Sequence, residues 1–358
     1  WVVGLCMGLG MISKYSIGLV AASAAVFILC DPPSRRWLLR WEPYAGTLLA
    51  VVIFSPVIIW NAQSEWASFS FQTTRRLAEK ARFSLHALIG SAAVMISPTG
   101  LAAVVAALFS CRRELRGDPV APARRRALFI MVFTLVPLAV FVAFSLRHKV
   151  KLEWTGPLWL AALPALAAAL ISAGGAVQSR LENRIGRAWE PTILILVLLY
   201  GAGLHYLVLG LPGVGYRAPM HLVPVGWREL ARQLDGVERR VRQETGAPAL
   251  VVGMDRYFTS SEFAFYSADP QAALRKVGGV HLFGSTSLMY ERWFPAFLQE
   301  GRNMILVGWE PEELMHPVFE THATRLGPIE RGVLSRDGKV IRAFHHRVLY
   351  GYREGQGR

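Results

Sequence analysis

The stretch GLCMGLGMISKYSIGLVAASAAVFILC, residues 4–30, is apolar apart from one charged residue, Lys14. A helix needs about 20 predominantly apolar residues to cross a bilayer, and this run is long enough. A charged side chain in the hydrocarbon region costs on the order of 3 kcal/mol or more. The stretch therefore predicts membrane helices, and it raises the question of what a lysine does among them.

Further apolar runs follow along the first part of the chain. Window reasoning gives about seven candidate spans, at 1–12, 15–30, 45–61, 84–110, 127–146, 157–174 and 191–211. With 53% hydrophobic residues and arginine-rich loops between the runs, the composition is typical of a polytopic membrane protein. Gly4 and Gly8 form a GxxxG motif, which predicts close packing of the first helix against a neighbour.

Residues 215–358 have the pattern of a compact α/β domain. The apolar spacing at 225–244 predicts a helix, and the apolar runs at 249–253 and 303–309 predict buried strands. TSSE, residues 259–262, has the spacing of a capping box and predicts a helix start there. Alternating runs on both sides of Asp337-Gly338 predict a β-hairpin.

The net charge of +14 is concentrated in residues 1–214, which carry +11, whereas residues 215–358 carry only +3. Nucleic-acid binding by the tail is therefore a poor interpretation. If the spans alternate, the loops at 31–44, 111–126 and 175–190 hold 12 Lys or Arg, against 8 on the other face before the tail. The positive-inside rule then favours a cytoplasmic face for those three loops and an outer face for Lys14 and the tail.

Lys14 lies 16 residues before Cys30, or about 24 Å along a helix, which places it near the outer face. Its ammonium either snorkels to the membrane surface or serves as a fixed cation for a lipid-borne phosphate. Arg75, Arg76 and Lys149 fall on the same face by the alternation count. Together these four cations form either an ordinary basic collar or a pocket for an anionic lipid.

Other residues could line a substrate site. The candidates are Tyr15, Trp60, Asn61, Trp66, Glu153, Trp154, Asp255, Arg256 and Tyr257. Aromatic faces with interspersed amides suit sugar binding, although an aromatic girdle at the membrane surface explains much of the same pattern. The last three follow a predicted strand, where ligands often bind in α/β domains, but an ion pair between Asp255 and Arg256 would explain that position equally well.

Familiar catalytic signatures are absent from the sequence. It contains no GxSxG, P-loop, GxGxxG or HExxH motif. The three cysteines, Cys6, Cys30 and Cys111, provide neither a disulfide framework nor zinc spacing. No metal site is expected from these residues.

Four segments resemble a known family. GLCMGLGMISKYSIGL, residues 4–19, is similar to the Gly-rich helix with a Lys-aromatic pair of the dolichyl-phosphate-mannose protein mannosyltransferase-like superfamily. FSPVIIWNAQSEWASFSFQ at 54–72, EWTGPLWLAALPAL at 153–166 and MDRYFTSSEFAFY at 254–266 resemble segments of its bacterial branch, which is related to the lipid A aminoarabinose transferases. The four segments extend across nearly the whole chain.

The resemblance implies a GT-C type fold: an α-helical membrane bundle, at 1–214, with a C-terminal α/β domain, at 215–358, outside a bacterial inner membrane. It implies transfer of a hexose or pentose from a polyprenyl-phosphate donor to a hydroxyl of a glycan, lipid or protein acceptor. Lys14, with Arg75, Arg76 and Lys149, would neutralise the departing donor phosphate. No cofactor is expected, and a divalent metal stays open.

In this family the general base is an acidic residue of the first outer loop, ahead of the region present here. The chain is therefore expected to be truncated at its N-terminus, with its catalytic residue upstream of Trp1, and to be inactive alone. Two alternatives remain: a transporter or flippase for an anionic lipid-linked substrate that uses the same lysine, and a membrane-anchored module whose tail binds a partner in the envelope.

Overall fold

The computed structural model describes residues 1–70, 81–148, 154–171, 180–210, 215–216, 220–274 and 276–355. The chain divides into two compact units, Trp1–Val197 and Leu198–Arg358. The first unit is helical, and the second contains the described β-sheet.

Seven of the helices follow the apolar runs of the sequence. They are α1 (Val2–Ser13), α2 (Gly18–Cys30), α3 (Glu42–Gln63), α5 (Leu85–Glu114), α6 (Pro122–Ser145), α7 (Gly156–Ile171) and α8 (Arg180–Leu209). A short helix, α4 (Ala67–Ser70), follows α3, and 3₁₀ turns cover Tyr15–Ile17 and Pro32–Leu39. The chain is a multi-pass membrane protein, since several of these helices are long and apolar enough to cross a bilayer.

The prediction of about seven spans is not confirmed. Within the described residues, four helices meet the length and hydropathy of a span: Glu42–Gln63, Leu85–Glu114, Pro122–Ser145 and Asn183–Leu209. A fifth is counted if Tyr15–Cys30 and Pro32–Leu39, which meet at a bend of 110°, form one broken span. Helices α1 and α2 have 12 and 13 residues, so each is under about 20 Å long, short of the hydrocarbon core of about 30 Å.

The GxxxG motif packs α1 closely against α3. Gly4 and Gly8 are buried, and a Cβ atom added to Gly4 would collide with the backbone of Gly46. A Cβ atom added to Gly8 would lie only 2.7 Å from the Cβ of Ile53. The close helix packing predicted from these two glycines is confirmed, and it depends on the missing side chains.

The second unit is built on a five-stranded sheet in the order β2-β1-β3-β5-β4. Strands β1 (Ala249–Gly253), β2 (Val277–Gly278) and β3 (Asn303–Gly308) run parallel. Strand β5 (Lys339–Tyr352) is antiparallel to β3 and to its hairpin partner β4 (Ala323–Arg336). The predicted hairpin and both predicted strands are confirmed; Asp337 and Gly338 have φ of 51° and 74°, as a two-residue turn between twisted strands requires.

Helices cover the sheet and complete two apolar cores. The predicted helix is confirmed as α9 (Trp227–Thr245), which places Leu230 and Leu234 fully out of solvent in a cluster with Ile305 of β3. The opposite cluster contains Leu306, also of β3. Short helices α10 (Phe258–Tyr266), α11 (Pro270–Ala273), α12 (Tyr290–Trp293) and α13 (Val318–Thr321) and 3₁₀ turns at Met220–Leu222, Val280–Phe283, Ala296–Gln299 and Pro311–Leu314 connect these elements.

The helix start predicted near residues 259–262 is confirmed, but the capping box that suggested it is not formed. Helix α10 begins at Phe258, and Thr259 lies in its first turn. The carboxylate of Asp255 accepts hydrogen bonds from the backbone N–H groups of Tyr257 and Thr259, at 3.0 and 3.2 Å. Asp255 therefore satisfies the free N–H groups at the start of the helix, the task that the sequence assigned to Thr259.

Strand β5 buries one histidine without hydrogen bonds. His346 is 6% exposed, and neither of its ring nitrogens has a hydrogen-bond partner among the described residues. Burial lowers the pKa of His346 below its ordinary value of 6.5; Glu330 opposes this shift, and Arg240 and His345 add to it. The fold therefore favours the neutral imidazole.

A pH dependence of stability follows from His346. Above the unfolded pKa, near 6.5, His346 is neutral in both states and the fold keeps its full stability. As the pH falls from there through the lower folded pKa, the unfolded chain binds a proton that the folded chain does not. The free energy of unfolding then decreases by up to about 1.4 kcal/mol per pH unit. We expect His346→Leu to flatten the dependence of the thermal unfolding midpoint on pH between 7.5 and 5, as measured in detergent. The exposed His316→Leu is the matched control, and an unchanged slope in His346→Leu would contradict the expectation.

Candidate functional site

Lys14 stands where the first apolar stretch breaks. It caps the C-terminus of α1 with an extended backbone, at φ −157° and ψ 124°, and its N–H donates to the carbonyl of Gly10 at 2.8 Å. The 3₁₀ turn Tyr15–Ile17 follows at once, and α2 begins at Gly18. The lysine is therefore a residue between two short helices, with an exposed side chain, and not one in the middle of a span.

A cleft opens beside this break. Its volume is about 470 Å³, and its lining residues are Ile12, Ser13, Lys14, Tyr15, Ser16, Ser68, Phe141 and Trp154. The cleft thus combines one cationic group and four hydroxyl groups with apolar and aromatic walls. Among the described residues, the buried hydroxyl of Ser16 has no hydrogen-bond partner. Cavities of this size and mixed lining suit a small ligand with a few polar groups.

Tyr15 connects the break to the segment after α3. Its hydroxyl lies 2.8 Å from Oγ of Ser68 in α4. Its ring meets the ring of Phe54 edge-on at 5.9 Å and that of Phe69 at 5.4 Å. These contacts hold Tyr15 in one wall of the cleft, next to Lys14.

Asn61 holds the turn that brings α4 to the cleft. It is fully buried; its Oδ1 accepts hydrogen bonds from the backbone N–H groups of Ser68 and Phe69 at 3.1 and 3.3 Å, and its Nδ2 donates to the carbonyl of Val57 at 2.9 Å. The chain turns at Glu65 and Trp66, both with positive φ. Asn61 acts inside the protein as a support for Ser68, and does not itself line the cleft.

Of the three candidate tryptophans, Trp154 lines the cleft, whereas Trp60 and Trp66 do not. Trp154 lines the cleft and meets Phe144 edge-on at 5.5 Å. Trp66 stacks on Phe69 at 5.8 Å and is 49% exposed. Trp60 is 41% exposed near the end of α3. Of the three, the structure brings Trp154 to Lys14.

Hydrogen bonds join the segment just before α5 to the end of α6 and the residues just after it. The N–H of Ser84 donates to the carbonyl of Ser145 at 2.8 Å, and its hydroxyl donates to the carbonyl of His148 at 2.6 Å. The N–H of Arg82 donates to the carbonyl of Arg147 at 2.7 Å. Ser84 could not be predicted from the sequence, because its partners lie more than sixty residues away. Arg75, Arg76, Lys149 and Glu153 lie outside the described residues.

The remaining candidates belong to the second unit. Asp255 is occupied in capping α10, and its carboxylate also accepts from the hydroxyl of Thr259. Arg256 is exposed, and the ring of Tyr257 stacks on that of Phe258 at 4.3 Å. They follow β1, at the edge where ligands often bind in such sheets.

A buried carboxylate at the other end of α2 was also not predicted from the sequence. Asp31 is fully buried; it accepts a hydrogen bond from Ser34 at 2.5 Å and lies 3.0 Å from Nη2 of Arg125. The signal available in the sequence was an aspartate directly after an apolar run and before two prolines. The cluster ties the turn after α2 to α6. Separately, in the described part of the chain no group of three His, Cys, Asp or Glu residues could hold a metal ion.

Known proteins resemble this chain in two ways. A family model described as dolichyl-phosphate-mannose-protein mannosyltransferase matches residues 1–60, which include Lys14 and Tyr15. The lipopolysaccharide core galacturonosyltransferase RgtA of Rhizobium johnstonii is 27% identical over 263 residues, which make up 71% of this chain and 49% of that protein. The chain thus spans about half the length of the curated relative it matches. No solved structure matches it.

The family match covers the first of the four segments that suggested the resemblance and the beginning of the second. The family model covers the break at Lys14 and nearly all of α3. The relative extends the likeness over most of the chain. The chain is thus similar to the dolichyl-phosphate-mannose-protein mannosyltransferase family over residues 1–60 and to a galacturonosyltransferase over most of its length.

Proposed function

We propose that this chain is part of a membrane glycosyltransferase that transfers a sugar from a polyprenyl-phosphate donor to an acceptor hydroxyl. The observation that carries the proposal is the cleft at the helix break, where Lys14 stands with Tyr15 and Trp154. The stretch that holds Lys14 and Tyr15 is the one that the family model matches. The names of the matching family and of the relative both describe glycosyl transfer.

The reaction breaks the bond between the anomeric carbon and the phosphate oxygen of the donor. The acceptor hydroxyl oxygen attacks that carbon, the polyprenyl phosphate leaves with the bonding electron pair, and the hydroxyl proton passes to a general base. We assign no residue of the chain to that base. As the bond breaks, negative charge grows on the leaving phosphate, so a fixed cation beside it stabilises the transition state more than the ground state.

Lys14 is the proposed cation. An ammonium is a compact point charge with three donors, which suits a phosphate whose oxygens change charge during the reaction. Its place outside a regular helix avoids the cost of a charge in the middle of a span. Arg75, Arg76 and Lys149 remain proposed partners in phosphate binding.

The rest of the proposed site is aromatic and polar. Tyr15 and Trp154 offer a hydroxyl and a ring face to the sugar or to the first isoprene units. Trp60, Asn61, Trp66 and Glu153 are proposed for the surroundings of the same site. Asp255, Arg256 and Tyr257 are proposed for the acceptor, which is a glycan, lipid or protein.

The direct test is release of polyprenyl phosphate. Membranes that contain the full-length protein to which this chain belongs are given a polyprenyl phosphate that carries a radiolabelled sugar, with an envelope glycan or lipid fraction as acceptor. Transfer of label with stoichiometric release of polyprenyl phosphate supports the proposal. Movement of the intact labelled donor across sealed vesicles without release would instead identify a flippase and overturn it.

The proposed orientation places the second unit outside a bacterial inner membrane. The side chain of Asp337 is 89% exposed in the turn between β4 and β5, so an Asp337→Cys thiol is open to reagents. In a variant without the three native cysteines, we expect an impermeant thiol reagent to label this position in intact spheroplasts. Asp118→Cys, in the loop between α5 and α6, is the matched control and should react only after lysis. The reverse pattern would invert the orientation.

A further inference from the structure

A second cavity lies in the first unit, among α5, α6, α7 and the start of α8. Its volume is about 490 Å³, and it shares no lining residue with the cleft at Lys14. Much of its wall is alanine, from Ala103 and Ala107 on α5 to Ala161 and Ala165 on α7. Small side chains on facing helices leave a narrow apolar channel that a thin, flexible chain can fill.

The channel has the length of one membrane leaflet. From Ala103 to Glu114 it follows α5 for eleven residues, about 16 Å along the helix axis. That is about half of a hydrocarbon core of about 30 Å. Two large apolar side chains of its lining face outwards, since Phe129 is 43% and Leu160 57% exposed. In a bilayer, surfaces of this kind contact lipid.

Charges of both signs stand at one end of the channel. Glu114 is the last residue of α5, and Arg126 lies in the first turns of α6; both line the cavity. Within the described residues, neither forms an ion pair. An apolar channel that ends in one cation and one anion matches an acyl chain that ends in a zwitterionic head group.

We propose that this channel binds one acyl chain of a phospholipid whose head group carries a phosphate and a primary ammonium. Arg126 faces the phosphate, Glu114 faces the ammonium, and the alanines of α5 and α7 enclose the chain. The bound lipid fills space that no side chain of the described residues fills, and so holds three helices together.

The site is separate from the proposed donor site. Phe141 lines the cleft at Lys14 and Arg126 lines the channel, and fifteen residues of α6 separate them, which is about 22 Å along the helix. A donor with its phosphate at Lys14 therefore cannot place that phosphate at Arg126. The lipid proposal does not depend on the proposed transferase activity.

The test of the channel uses a photoactivatable lipid. The protein is reconstituted in nanodiscs with phosphatidylethanolamine that carries a diazirine in the middle of one acyl chain, irradiated, digested and mapped by mass spectrometry. We expect adducts on peptides of α5 and α7. Ala107→Phe fills the channel and should reduce them by about tenfold, while the exposed Ala102→Phe on the same helix is the matched control. Equal adduct yields in both variants would overturn the channel assignment.

The test of the head group compares lipids and charges. Arg126→Gln should reduce capture of phosphatidylethanolamine and phosphatidylglycerol by about tenfold, and Glu114→Gln should reduce only the former, as loss of a contact to a charged group predicts. The exposed Arg112→Gln, outside the cavity, is the control. If Glu114→Gln leaves capture of phosphatidylethanolamine unchanged, or if polyprenyl phosphate competes with that capture, the channel binds another lipid and the proposal is overturned. If size-exclusion chromatography shows that Ala107→Phe is misfolded, Arg126→Gln and Glu114→Gln still test whether the channel binds this lipid.

Discussion

Replacement of Lys14 by alanine is expected to reduce turnover of a polyprenyl-phosphate sugar by about 10²–10³-fold, the loss seen when one fixed donor to a developing negative charge is removed. The ammonium lines the cleft at the break between α1 and α2, where the leaving phosphate gains charge as its bond breaks. The measurement is the rate of polyprenyl-phosphate release by the full-length protein at saturating and at low donor concentration. A larger loss in kcat than in donor affinity would indicate that Lys14 acts mainly in the transition state.

Two controls separate this role from a structural one. Lys14→Arg keeps the positive charge and should retain part of the activity, whereas Lys14→Met keeps most of the length and should not. Arg40→Ala removes an exposed cation that pairs with Glu42 in the turn after α2, and it should leave turnover unchanged. Normal turnover and normal donor affinity in Lys14→Ala would refute the phosphate role. Because the side chain is exposed, the thermal stability of that variant should stay close to that of the native chain.

Replacement of Gly8 by alanine is expected to destabilise the first unit by about 1–3 kcal/mol, the usual cost of overpacking a tight contact. The new Cβ would stand 2.7 Å from the Cβ of Ile53 and 2.9 Å from the carbonyl oxygen of Ala50. Since one of these atoms belongs to the backbone of α3, the two helices must move apart. The gain in helix propensity, about 1 kcal/mol, offsets only part of this cost.

Gly90 provides the matched control. It lies within α5, and an added Cβ would meet no atom within 4 Å, so Gly90→Ala should be neutral or slightly stabilising. Thermal unfolding of both variants in the same detergent gives the comparison. Equal midpoints for Gly8→Ala and Gly90→Ala would mean that α1 and α3 are not held at the distance described.

The sequence was most informative where a few neighbouring residues decide the structure. Asp337-Gly338 predicted the hairpin because both residues adopt positive φ easily, and the spacing of leucines predicted α9 because one helix face must be buried. The GxxxG motif predicted close packing without naming the partner. The partner, α3, depends on contacts between segments about forty residues apart in sequence.

The candidate site was only partly predictable. Lys14, Tyr15 and Trp154 meet at one cleft, and all three were candidates from the sequence. Ser68 and Ser16 could not be found, since their roles follow from the path of the chain after α3 and from the break after α1. Asn61 was named as a residue of the substrate site, whereas its hydrogen bonds hold the turn; hydrogen-bond partners of an amide cannot be read from composition.

Strand β4 forms one edge of the sheet, and its irregular backbone disfavours edge-to-edge pairing with another molecule. A long, flat edge with free N–H and C=O groups is a template for pairing with a second chain. Here the register with β5 shifts between Leu326 and Ile329, around Gly327 and Pro328, and shifts again after Leu334. Proline removes a donor, bulges twist the edge, and charged side chains such as Arg331 add repulsion. The sheet can therefore end in solvent without recruiting a neighbouring strand.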